Sequence, residues 1–215
     1  MITCVNKTSL PKTLIVILGQ DNGSSSYEVK NDVTRVLDSK GQVIGFNFFN
    51  IDQYLDYDHM PEGGQVKLSD SDLSALNKKV KEAGFDDELA YGKATLVYGL
   101  VETCESHPDS DHLHVCQVNV GDEKHQIVCG APNIAQGQTV VVALPGTLMP
   151  NGAQIWPGEL RGVDSYGMIC SARELGLPHA EDKRGIISLP AGFKAGDAFE
   201  PTKVDELLAS GAIKL

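Results

Sequence analysis

Leu160-Arg161-Gly162-Val163-Asp164-Ser165-Tyr166-Gly167-Met168-Ile169-Cys170-Ser171-Ala172-Arg173-Glu174-Leu175-Gly176-Leu177 is the most informative stretch of this 215-residue chain. Short β-prone runs are interrupted by glycine, and Gly162 and Gly167 permit a close backbone approach that a Cβ would obstruct. Arg161 and Arg173 stand at its two ends. An arginine can fork onto a phosphate or stack on a base, whereas a lysine offers a compact charge.

The same texture extends outward from Lys93. Candidate strands are Ala94 to Glu102, Leu113 to Val120, Gln126 to Cys129, Thr139 to Leu144, a segment around Ile155 to Arg161, and Gly185 to Leu189. Pro145-Gly146 and Pro150-Asn151-Gly152 mark tight turns, and this cadence is that of a small β-barrel. Within Leu113 to Val120 the inward set changes from Leu113 and Val115 to Cys116, Val118 and Val120. A one-residue shift exchanges the two faces of a strand, so a bulge or sharp coil is expected at Val115-Cys116.

His107, His112, His114 and Cys116 invite a metal reading, since zinc takes about four converging His or Cys ligands. The parity change turns Cys116 away from His112 and His114, so no metal is assigned. Cys129 and Cys170 have no histidine fixed beside them by spacing, and a cysteine ending a strand is usually a small buried apolar group. Gly-x-Gly-x-x-Gly and the phosphate-loop pattern are absent, and no cofactor and no catalytic residue is assigned.

Five ordered blocks carry a family likeness. They are the opening stretch, His107-Pro108-x-x-Asp111-x-Leu113, Val118-x-Val120-Gly121, Ile127-Val128-Cys129-Gly130-Ala131-Pro132-Asn133 and Ala143-Leu144-Pro145-Gly146. Together, over roughly Lys93 to Pro201, they resemble the tRNA-binding domain near the N-terminus of the bacterial phenylalanyl-tRNA synthetase beta chain. A free-standing chain with a different first domain is similar to the YtpR-type tRNA-binding proteins. The resemblance implies a five-stranded OB-fold barrel that contacts the outer corner of the L-shaped tRNA and has no catalysis of its own. Where the family pattern commonly has lysine after the aspartate, this chain has His112.

OB-folds stack bases on side chains and hold the backbone with nearby cations. On that basis Arg161 and Arg173 are the first candidates for RNA contact. Asn133, Ser165 and Ser171 are candidate hydrogen-bonding groups, and Tyr166 and Met168 candidate flat apolar contacts. His107 and His112 belong to the loop joining the first two barrel strands, which OB-folds often use for ligands.

The first half has a different character. Leu14 to Leu18 suits a strand buried on both faces. Tyr27, Val29, Val33 and Leu37 share one parity and lead through Asp38-Ser39-Lys40-Gly41 into Val43 to Ile51, which predicts a hairpin. Ser69 and Asp72 form a capping pair for a helix whose stripe is Leu73, Leu76, Val80 and Ala83, closed by Gly84. The acidic stretch Asp86 to Gly92 marks a boundary. The expected fold is mainly β with α+β character: a small α/β domain over 1–92, an OB-fold five-stranded β-barrel over 93–201, and a C-terminal helical tail over 202–215.

The formal net charge is −11, with 9 basic against 14 acidic residues up to Gly92 and 9 against 15 after it. Nucleic-acid affinity comes largely from Lys and Arg neutralising phosphates, so RNA binding requires a local cationic patch. The partner expected is tRNA. A homodimer stays open, because stand-alone barrels of this kind are often dimeric, and neither membrane nor DNA is expected. The location expected is cytoplasmic. The alternative is a protein-interaction module that keeps the barrel and has lost RNA binding, which the acidic balance favours.

Overall fold

The computed structural model describes residues 1–213; the last two residues of the expected tail, Lys214 and Leu215, lie outside them. The chain forms two compact units, Met1–Lys93 and Ala94 onward.

Strands β1 (Ile2–Asn6), β2 (Leu10–Ile17), β3 (Ser26–Lys30), β4 (Val33–Leu37), β5 (Val43–Phe48) and β6 (Gly63–Gln65) form one antiparallel sheet in the order β3-β4-β5-β2-β1-β6. The register aligns Val5, Leu14, Phe48 and Val33 across one face, with Val16 opposite Phe46. These residues are buried with Leu76 and Val80 of helix α1 (Asp70–Glu82). Its N-terminus is the reciprocal cap read from the sequence, Ser69 with Asp72, and Gly84 at φ 73 ends it.

Two expectations are revised here. Leu14 and Val16 are buried, but Ile15 and Ile17 are half-buried and Leu18 is 37% exposed, because the helix covers one face of the sheet. Tyr27 and Val29 do not join Val33 in the core. Asn31, at φ 53, reverses the chain between β3 and β4, and leaves Tyr27 and Val29 exposed on an edge strand. Asn tolerates that left-handed conformation better than most side chains. The acidic stretch before Lys93 is anchored by buried Phe85 and Leu89, and the Asn77 side chain bonds both the N–H and the carbonyl of Leu89.

The second unit is built on β7 (Leu96–Ser106), β8 (His114–Asn119), β9 (Lys124–Cys129) and β10 (Thr139–Ala143). Two short pairs follow, β11 (Thr147–Leu148) with β12 (Gln154–Ile155), and β13 (Gly158–Leu160) with β14 (Val163–Ser165). The five-stranded OB-like sheet runs β15-β10-β7-β8-β9, where β15 is Met168–Ile169, and β16 (Ser188–Leu189) also pairs with β10. Helix α2 (Pro201–Ala209) buries Val204 against the apolar layer on the outer side of β7 and β10.

The bulge expected at Val115-Cys116 is not there. Strand β8 pairs without interruption through Cys116 on both sides, and the irregularity lies in β7, between Val101 and Thr103, where Glu102 is the extra residue. Leu113 and Val115 are half-buried and share the outer parity throughout. Nor is the barrel closed by a ladder. Across the seam between β9 and the β14–β15 segment, the Tyr166 N–H donates to the Gln126 carbonyl at 2.8 Å, Gln126 Nε2 donates to the Asp164 carbonyl at 2.8 Å, and the Val128 N–H donates to Ser165 Oγ at 3.1 Å. Gly167, at φ 137, bends the chain here, and a Cβ on it would come within 2.8 Å of the Ala143 carbonyl.

Strand β10 and the start of β7 are buried on both faces: Val97, Val101, Val140 and Val142 point into the barrel, while Tyr98, Val141 and Ala143 point into the outer layer; from Leu100 onward the outer face of β7 opens to solvent. Gly99 sits in this crowded centre, where an added Cβ would lie 2.7 Å from a Val118 methyl and 2.8 Å from a Val142 methyl. Gly99→Ala should therefore cost about 1–3 kcal/mol in urea unfolding. Gly92→Ala, with nothing within 4 Å, should change stability by less than about 0.5 kcal/mol.

Candidate nucleic-acid interface

Because β9 and β15 do not pair, their ends separate around an open cleft of about 250 Å³. Val128, Cys129 and the turn Gly130-Ala131-Pro132 form one wall, Met168, Ile169, Ser171, Arg173 and Glu174 another, and Lys183 to Ile186 a third. The third wall is held by Asn133. Its Oδ1 accepts from the Ile186 N–H and its Nδ2 donates to the Ile186 carbonyl, both at 2.9 Å. The turn that carries Arg173 is fixed by a reciprocal cap: Glu174 accepts from the Ser171 N–H and hydroxyl, and the Ser171 hydroxyl accepts from the Glu174 N–H.

Three cations and one carboxylate line the cleft. Arg173 pairs with Asp182 at 2.7 Å, with both side chains largely exposed, and Lys183 pairs with Glu181. Arg184 is exposed and makes no ion pair or hydrogen bond with any other described residue. Exposed ion pairs are worth roughly 0–1 kcal/mol, so a phosphate can replace either carboxylate partner at small cost. Glu174, the one acidic lining group, is engaged by Ser171. Burial pushes the Cys129 thiol up, which keeps it a neutral wall of the cleft.

A second cluster lies at the corner formed by the 107–112 loop and the β13–β14 hairpin. His107 is buried; its Nδ1 accepts from the Asp109 N–H at 3.0 Å, which leaves Nε2 to donate to the Leu160 carbonyl at 3.1 Å. Arg161, at φ 47, donates to the Asp109 carbonyl at 3.0 Å. His112 is exposed and bonds Asp111 at 2.9 Å, which holds that carboxyl below its usual range.

The residues singled out from sequence thus separate into distinct roles. Met168, Ser171 and Arg173 meet at the cleft, with Asn133 behind its wall. His107, Arg161 and His112 gather at the loop–hairpin corner, apart from that lining. Tyr166 is 40% exposed, and its hydroxyl donates to Asp164 at 3.2 Å. Three proposed hydrogen-bonding groups are already engaged within the fold. Ser165 is 5% exposed and bridges the seam, Asn133 pins Ile186, and Ser171 caps its turn. Sequence reasoning missed Lys183 and Arg184, since their neighbours Glu181 and Asp182 make the run look like a neutral solvated face. The adjacent basic pair just before Gly185 was the available signal.

The model of the putative tRNA binding domain matches residues 96–198, and that of a domain of unknown function matches residues 20–92. The chain is 44% identical to the putative tRNA-binding protein YtpR of Bacillus subtilis, over 91% of this chain and 97% of that protein. It is 53% identical to the phenylalanine-tRNA ligase beta subunit of Desulfotalea psychrophila over 49% of this chain, and 46% identical to that of Oceanobacillus iheyensis over 62%. The matches span 13% and 17% of those two subunits.

Asn133 is the residue on which the cleft's shape turns. Asn133→Ala leaves the Ile186 N–H and carbonyl without partners, at a cost of about 1–3 kcal/mol for each such buried group. Thermal unfolding should show the loss, and amide exchange should show faster opening at Gly185 and Ile186 than elsewhere in the barrel.

Proposed function

The chain belongs to the family of YtpR-type putative tRNA-binding proteins, and on that footing we propose that it binds tRNA in trans, through the cleft of its OB-like unit, without catalysis. The observation that carries this is the meeting of Arg173, Lys183 and Arg184 beside Met168 at the open seam. Cations there hold the phosphates of a splayed strand, and the methionine offers a base an apolar surface, the combination by which OB-folds hold single strands. The corner of Arg161, His107 and His112 acts as a shape element, with Arg161 and His107 bracing the loop.

No cofactor or metal enters this reading. The cysteine that lines the cleft, Cys129, is a thiol disfavoured from ionising by burial. One chain supplies the whole cleft, so a homodimer is not required for binding. The reading is of a cytoplasmic protein; among the described residues no helix is long and apolar enough to cross a membrane.

The test is a titration with total tRNA at several salt concentrations. Three phosphate contacts give a slope of log K against log salt of about −2, at ~0.7 per phosphate of a single strand. Arg184→Ala should weaken binding evenly across tRNAs and reduce the magnitude of that slope by about 0.7, with the melting temperature unchanged. An absence of binding even at low salt would instead make the barrel a protein-interaction module.

A further inference from the structure

Cys116 and Cys129 belong to the buried cluster of the barrel interior, and Cys104, half-buried, packs against it. Cys104 and Cys116 are brought together by the β7 bulge. Upstream of it Leu100 faces Asn119 and Val101 faces Val118, and an unbroken continuation would set Cys104 against Val115, whose side chain points outward. The extra residue Glu102 shifts the register by one, so Cys104 lies directly opposite Cys116. Directly opposed residues of an antiparallel ladder have Cα atoms about 4.5 or 5.5 Å apart, and both spacings lie within the roughly 4.4–6.8 Å that a disulfide spans. Cys129 is not equivalent. Cys116 faces Ile127, so Cys129 is its diagonal neighbour, at about 7–8 Å, beyond the reach of a disulfide without backbone movement.

We propose that Cys104 and Cys116 form a reversible oxidative-modification site for a small disulfide of the glutathione type. Cys104, half-buried, is the thiol a reagent can reach, whereas Cys116 is fully buried. Cys104, as its thiolate, attacks one sulfur of the small disulfide and expels the other as a thiol, which leaves a mixed disulfide. Cys116 then gives up its proton, attacks the Cys104 sulfur and releases the second small thiol. Two protein thiols and one small disulfide become one protein disulfide and two small thiols, with no other oxidant needed. Burial, and after it the neighbouring Cys104 thiol, push the Cys116 thiol up. The second exchange is therefore the slow one, because the thiolate is the attacking species.

The site is independent of the RNA reading and is tested without RNA. The reduced full chain is incubated with excess oxidised glutathione and mapped by mass spectrometry under non-reducing conditions. The expected product is a Cys104–Cys116 linked peptide with the loss of two hydrogens per chain, restored by dithiothreitol. In Cys116→Ala the reaction should stop at one glutathione retained on Cys104. A wild-type chain that keeps glutathione on Cys104 without linkage, links through Cys129, or does not react overturns the proposal. The wild-type result decides the matter even if Cys116→Ala does not fold.

Discussion

Burial of β10 and the start of β7 on both faces is the constraint from which the second unit's other features follow. A sheet in this state has no solvent side on which to place a misfit, so each neighbour must fit two apolar layers at once. That is why the strand crossing needs glycine at 99, where Val118 and Val142 close in. It also sets a requirement for Tyr98, whose ring lies between Phe193 and Phe199 at centroid distances of 4.8 and 6.2 Å. A buried phenol needs a hydrogen-bond partner, and its oxygen accepts from the Glu200 N–H at 3.0 Å. This bond leads directly into α2, so the C-terminal helix begins where the tyrosine requires a partner.

The cleft is a consequence of incomplete closure. Gly167 turns the chain between β14 and β15, and the ladder with β9 gives way to a few bonds from Tyr166, Gln126 and Ser165. Where backbone pairing stops, the walls diverge, and the separated ends of β9 and β15 become lining. The same geometry explains why the short polar side chains of this region face inward. An opened seam exposes N–H groups such as that of Val128, and Ser165 satisfies it. Long side chains extending from the loops beyond, Arg173, Lys183 and Arg184, are left to face solvent.

How much of this was legible in sequence depends on whether the signal was local. The α1 cap is contained in Ser69 to Asp72 and could be read directly. The barrel's cadence and its blocks of motif identified the OB-like unit, because turn residues and strand lengths are local properties too. The bulge expected in β8 rested on reading Leu113 and Val115 as inward, but both are half-buried apolar residues of the outer face, so the parity of β8 never changes. The bulge that exists lies in β7 at Glu102, where the expectation had not placed it. Ser165 and Asn133 looked like ligand groups because their partners, Val128 and Ile186, lie 37 and 53 residues away. Arg184 was hidden for the opposite reason: its sequence neighbours are acidic, yet Asp182 is drawn to Arg173 and Glu181 to Lys183.

Those pairings bear on how a chain with 29 acidic and 18 basic residues can attract a polyanion at all. The field of the whole molecule repels RNA at a distance, so long-range steering gives little help and binding depends on short-range contact. On the proposed reading, Arg184 alone among the described cations of the cleft is available outright, and Arg173 and Lys183 exchange an exposed carboxylate for a phosphate. The gain on binding is then the difference between two ion pairs instead of the whole of one, which makes the interaction modest in strength. On the proposed reading, specificity comes from the fit of a splayed strand between walls that Asn133 and Ser171 hold fixed.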